Sequence, residues 1–126
     1  MARAYSHGLD PSEPADYDAY VAQWRSHFQK CDENFELERG LNHIFAEDWV
    51  PSVEVIEDAI KASRRLNTWA TAVRVLEALE DKVPKRAQYD QYLAHLQPLL
   101  EDLGVEEAKT LGTFEPIREK RWIDRD

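Results

Sequence analysis

The chain has 126 residues, 43% of them hydrophobic, with four Trp, five Tyr, four Phe and a formal net charge of −9. This is enough apolar material for one domain with a real core, while the acidity argues against a phosphate-backbone or anionic-lipid partner, whose affinity comes from neutralising cations. A single cysteine, Cys31, excludes an internal disulfide and fits a reducing compartment, and four Gly with six Pro leave too little turn punctuation for an all-β fold.

In chain order, residues 1–14 form an irregular lead-in, where Gly8, Pro11 and Pro14 work against a helix and MARAYSHG lacks the apolar stretch of a secretory signal. A helix follows from Asp16, because Tyr17, Tyr20, Val21, Trp24, Phe28 and Cys31 recur on one stripe. A second starts near Asn34 as N-cap, turns Leu37, Leu41, Ile44 and Phe45 inward, and gives way at DWVP, residues 48–51. A third spans about Ser52 to Leu66, with Val53, Ile56, Ala59, Ile60 and Ser63 inside. Thr68 caps a fourth, whose stripe is Trp69, Ala72, Val73, Leu76, Leu79 and Val83.

The fifth, Arg86 to Leu103, has the cleanest stripe, and Gly104 supplies its stop. Pro98 lies opposite that stripe, so its ring faces water and bends the helix around the core without ending it. One short turn follows in 105–112, and 113–126 is a charged tail carrying Phe114, Ile117 and Trp122. The domain division is therefore a lead-in at 1–14, a helical body at 15–112 and a tail at 113–126. No run approaches the roughly 20 apolar residues needed to span a bilayer.

DWVP at 48–51 and DKVP at 81–84 lie 33 residues apart. The same offset superposes Ile56 on Tyr89, Ile60 on Leu93, Ser63 on Leu96 and Leu66 on Leu99. The expected fold is all-α: a right-handed superhelix of about five antiparallel helices, stacked as a short tetratricopeptide-like repeat whose neighbours bury one another's apolar faces.

No GxGxxG, P-loop, GxSxG or HExxH occurs, and the carboxylates fall mostly opposite the core stripes, so no catalytic residue is assigned. His27 and Cys31 stand four apart, yet no further pair completes a zinc set, and Cys31 lies on an apolar stripe; no metal ligand is assigned. Lys61, Arg64 and Arg65 form the basic cluster in the middle of the chain, in a helix's last turn where cations complement the macrodipole. Lys61 and Arg65 point away from the apolar stripe and Arg64 flanks it. Trp24 and Trp69 read as core, whereas Trp49 in a turn and Trp122 in the tail read as contact residues. The expected partner interface is Lys61, Arg64, Arg65, Trp49 and Trp122.

SHG near the start, DWVP, IEDAIKASRRLNTWATAVRVLEALEDK and QYLAHLQPLLEDLG together resemble the nuclear-encoded subunit of mitochondrial cytochrome c oxidase called Va in animals and VI in fungi. The resemblance runs from about Ser6 to Gly112, and RRLN followed by A-VR-LE-L-DK is its most specific part. It implies a non-catalytic accessory subunit of respiratory complex IV, peripheral to the mitochondrial inner membrane on the matrix side. Such a subunit docks on extramembrane parts of catalytic and accessory subunits and supports assembly, stability or regulation of electron transfer. Haem a and copper would reside in partner subunits, with no cofactor and no nucleic acid bound here. A pentatricopeptide-like RNA binder or a soluble adaptor on the same helical stack is the competing reading, and the −9 charge weighs against its RNA form.

Overall fold

A computed structural model of the protein describes residues 13–47 and 50–112, apart from the side chain of Lys109. All the regular structure among the described residues is helical: α1 (Pro14–Lys30), α2 (Asn34–Ala46), α3 (Val53–Arg65), α4 (Trp69–Lys82), α5 (Arg86–Leu103) and the short α6 (Ala108–Leu111). The all-α expectation holds.

Helix ends differ from the sequence expectation by small, explicable amounts. α1 begins at Pro14 rather than Asp16, because proline fits the first helical turn, where its missing N–H would have had no partner. Glu33, not Asn34, occupies the N-cap of α2. Ser52 does cap α3, its hydroxyl accepting from the Val55 N–H at 3.4 Å. Thr68 stands at the N-cap of α4, but its hydroxyl pairs with that of Thr71 at 2.6 Å instead of capping the backbone.

α3 and α5 end in the same way. Past α3 the Thr68 N–H donates to the Ser63 carbonyl at 2.8 Å and the Asn67 N–H to that of Arg64 at 3.0 Å. Past α5 the Val105 N–H donates to Leu100 at 2.9 Å and the Gly104 N–H to Glu101 at 3.4 Å. Both pivots are left-handed, with φ of 60° at Asn67 and 71° at Gly104. Glycine reaches this region without a Cβ penalty, and asparagine reaches it more readily than most residues.

Two rows of helices result. α1, α3 and α5 lie side by side, and α2, α4 and α6 form the second row. α3 is the keystone because it is apolar on two sides. Ile56 and Ile60 enter a core with Leu76, Leu79, Tyr89, Leu96 and Leu100. Val55, Ala59 and Ala62 enter a second core with Trp24, Phe28, Leu37 and Ile44. Each fully buried Leu or Ile in these clusters contributes about 1.5–3 kcal/mol. Pro98 is exposed within an unbroken α5, and Tyr92 anchors that helix by donating to the Pro51 carbonyl at 2.6 Å.

Candidate functional site

At the end of α3, Lys61 pairs with Glu57 at 3.7 Å, a surface pair of small worth, and Arg64 is exposed. Arg65 behaves differently. Its side chain leaves α3 and reaches back to α1, where the guanidinium donates to the Cys31 carbonyl at 2.7 Å and the Phe28 carbonyl at 2.9 Å. These are carbonyls a helix C-terminus leaves without intrahelical donors, so Arg65 closes α1 both as donor and as countercharge to its macrodipole. Periodicity placed Arg65 away from the apolar stripe; only the return of α1 alongside α3 shows what it touches. The Cys31 thiol is pushed up by burial, with Arg65 pulling the other way from 3.8 Å.

Lys82 does the same one row over. At the end of α4 its ammonium donates to the carbonyls of Phe45, at 3.1 Å, and Glu47, closing α2. The sequence reading gave Lys82 no role, although a cation in the last turn of both α3 and α4 was visible in the chain.

Asp58 was also missed. It is 3% exposed and accepts from Arg25 Nε at 2.7 Å and Gln29 Nε2 at 3.1 Å, tying α3 to α1. The signal was its spacing, three after Val55 and four before Ala62, which puts it on the second inward side of α3. Beside this contact, Trp24 packs against His27 at 5.3 Å and His43 at 5.0 Å between ring centroids. His27 Nε2 bonds to the Glu36 carbonyl at 3.1 Å. Gly40 passes so close beneath that a Cβ there would lie 2.6 Å from His27 Nε2, so any side chain at this position would have to displace the His27 ring.

Trp24 is core, as expected, but Trp69 is not: it is 46% exposed, and its indole N–H donates to the Gly104 carbonyl at 2.9 Å. As the first residue of α4 it sits on the rim, where it braces the turn after α5. Trp49 and Trp122 lie outside the described residues. No group of three or more His, Cys, Asp or Glu among the described residues is arranged to hold a metal, and none of the described helices is long and apolar enough to cross a membrane.

The structure therefore brings Lys61, Arg64 and Arg65 to one edge, with Arg65 tethered. It also opens a groove of about 350 Å³ between α2 and α4 that the sequence did not announce. Neither place assembles an acid, a base and an enclosed pocket; both are surfaces.

Comparison with known proteins bears on what the surfaces meet. The profile of the cytochrome c oxidase subunit Va family matches residues 13–113. The chain is 46% identical over 89 residues to "Cytochrome c oxidase subunit 6, mitochondrial" of Neurospora crassa, covering 71% of this chain and 60% of that protein. It is 35% identical over 116 residues to "Cytochrome c oxidase subunit 5A, mitochondrial" of Notamacropus parma, covering 90% and 73%. The subunit 5A of Rattus norvegicus is 37% identical over 112 residues, covering 87% and 74%.

Proposed function

The chain belongs to the cytochrome c oxidase subunit Va family, and from that premise we propose that it is a non-catalytic accessory subunit of mitochondrial cytochrome c oxidase, peripheral to the inner membrane on its matrix side. The observation that carries the reading is the extent of the match. Residues 13–113 take in every helix from α1 to α6, so the whole helical body is shared and not one motif.

In this reading the chain braces extramembrane parts of catalytic and accessory subunits, supporting assembly, stability or regulation of electron transfer from cytochrome c to oxygen. Haem a and copper belong to the partners; among the described residues, this chain offers no ligand cluster for either. The side-by-side placing of α1 with α3 and of α2 with α4 supports the expected superhelical stack. Lys61 and Arg64 supply the outward-facing cations of a docking edge, and Arg65, tied to α1, fixes its position. Trp49 and Trp122 join the contact on sequence grounds.

The test is gentle detergent solubilisation of mitochondria, native electrophoresis, and detection of this chain alongside haem a absorbance. Co-migration that survives high salt is the expected outcome. Migration as a small free protein, or salt-sensitive retention on RNA, would replace the reading with the adaptor or the RNA binder. Reversing Lys61 and Arg64 to Glu is expected to weaken co-migration while circular dichroism of the isolated chain stays helical; unchanged co-migration would reduce the pair to a helix-end feature.

A further inference from the structure

The walls of the α2–α4 groove are related by the same 33-residue offset as the two DxVP turns. Glu38, Leu41 and Phe45 on α2 correspond to Thr71, Arg74 and Ala78 on α4, and all six line the groove. Equivalent positions on successive helices of a repeat turn to the same side, so the two helices jointly present one trough. They run in the same direction, because Lys82 at the end of α4 meets Phe45 and Glu47 at the end of α2. Phe35, three residues before Glu38 on α2, is 69% exposed.

We propose that this trough is a docking site for an amphipathic helix of another subunit of the oxidase, a proposal that rests on the accessory-subunit reading above. Three features select that occupant. Leu41, Phe45 and Ala78 are only part buried and offer an apolar floor for a row of side chains spaced three and four apart. Both walls are helices with their backbone groups bonded internally, so no sheet edge exists for an extended peptide to join, and a helix, whose backbone is bonded within itself, suits the groove. The polar walls carry both signs, Glu38 on one side and Arg74 on the other, and neither has an ion-pair partner among the described residues. A lipid surface or a nucleic acid is anionic throughout and would meet Glu38 and a chain of net charge −9 with repulsion. A helix with a carboxylate for Arg74 and a cation for Glu38 satisfies both walls.

The experiment places a photo-crosslinking benzoylphenylalanine at Asn42, in the trough, and in a second chain at Gln88, an exposed position of α5, and irradiates the assembled oxidase. The expected adduct from Asn42 joins the chain to a helical segment of another oxidase subunit, and Arg74→Glu lowers its yield about tenfold while the isolated chain keeps its helicity. An Asn42 adduct to lipid or RNA, or no adduct while the chain still co-migrates with haem a, overturns the trough proposal and leaves the accessory reading standing. A correctly folded chain that separates from haem a overturns both.

Discussion

At their C-terminal ends, α1 against α3 and α2 against α4 are joined alike. In each pair a cation in the last turn of the later helix, Arg65 or Lys82, donates to the final carbonyls of the earlier one. Farther along the pairs diverge. α3 meets α1 through Val55, Asp58, Ala59 and Ala62, all buried, and the contact is closed. Between α2 and α4 the facing sides carry Glu38, Phe45, Thr71 and Arg74, and a groove stays open. Small residues let backbones approach until side chains interdigitate, whereas long polar ones hold helices apart and keep a surface available. One pair is closed along its length, the other stays open.

The largest test of this contrast is Arg25→Ala. It leaves Asp58 buried with only Gln29 as a side-chain donor, and chemical denaturation should show a loss of about 2–3 kcal/mol, the low side for a broken buried pair because the guanidinium is part exposed. A mutant as stable as the parent would mean that α1 and α3 are held by apolar packing alone.

The same substitution made in both rows sharpens the comparison. Ala59→Leu overpacks the closed contact and should cost about 1–3 kcal/mol, while Ala78→Leu enters the groove and should stay within about 0.5 kcal/mol of the parent. Equal costs would show that the groove closes in solution.

Arg65→Met and Lys82→Met each remove a helix-end cation, and each should cost about 1 kcal/mol in thermal or chemical unfolding. Similar losses support an equivalent role in the two rows. A loss confined to Arg65 would make the open row independent of its cap.

The smallest effect is alkaline. Burial pushes the Tyr20 hydroxyl up to about 12, with Glu47 adding to it, and raises Tyr89 further, helped by its hydrogen bond to Glu107 at 2.8 Å. A folded pKa above the unfolded one favours the protonated, neutral hydroxyl. This contribution is full below the unfolded value near ~10 and is lost as pH rises through the folded values. Denaturant midpoints should therefore fall above about pH 10, beyond the earlier and separate loss that the raised Cys31 thiol brings, and Tyr89→Phe should flatten that later part.

Much of the fold was legible in the chain because helical periodicity is local. Leu76 and Leu79 stood on a stripe and are buried, and Gly104 stood where a left-handed turn was needed. Trp69 was misread because a stripe defines a side and not a depth: the first residue of a helix can lie on the right side and still sit at the rim. Asp58 was missed because a single stripe was assigned to α3, a helix that α1 and α5 bury from two sides. The basic cluster was visible as a cluster, but that Arg65 is spent within the fold while Arg64 is free to face outward was not.

The sequence by itself determined the number and phase of the helices, the 33-residue echo and the resemblance to the subunit Va family, since each depends on residues near one another in the chain or on their order. Tertiary structure alone decided which helices lie side by side, that Arg65 and Lys82 close helices more than 30 residues earlier, that a buried carboxylate locks α1 to α3, and that α2 and α4 stand apart. The physical reason is range. Backbone hydrogen bonding and apolar spacing act over one or two turns, while capping by a distant cation, burial of a charge and the width of a groove depend on which surfaces the folded chain brings face to face.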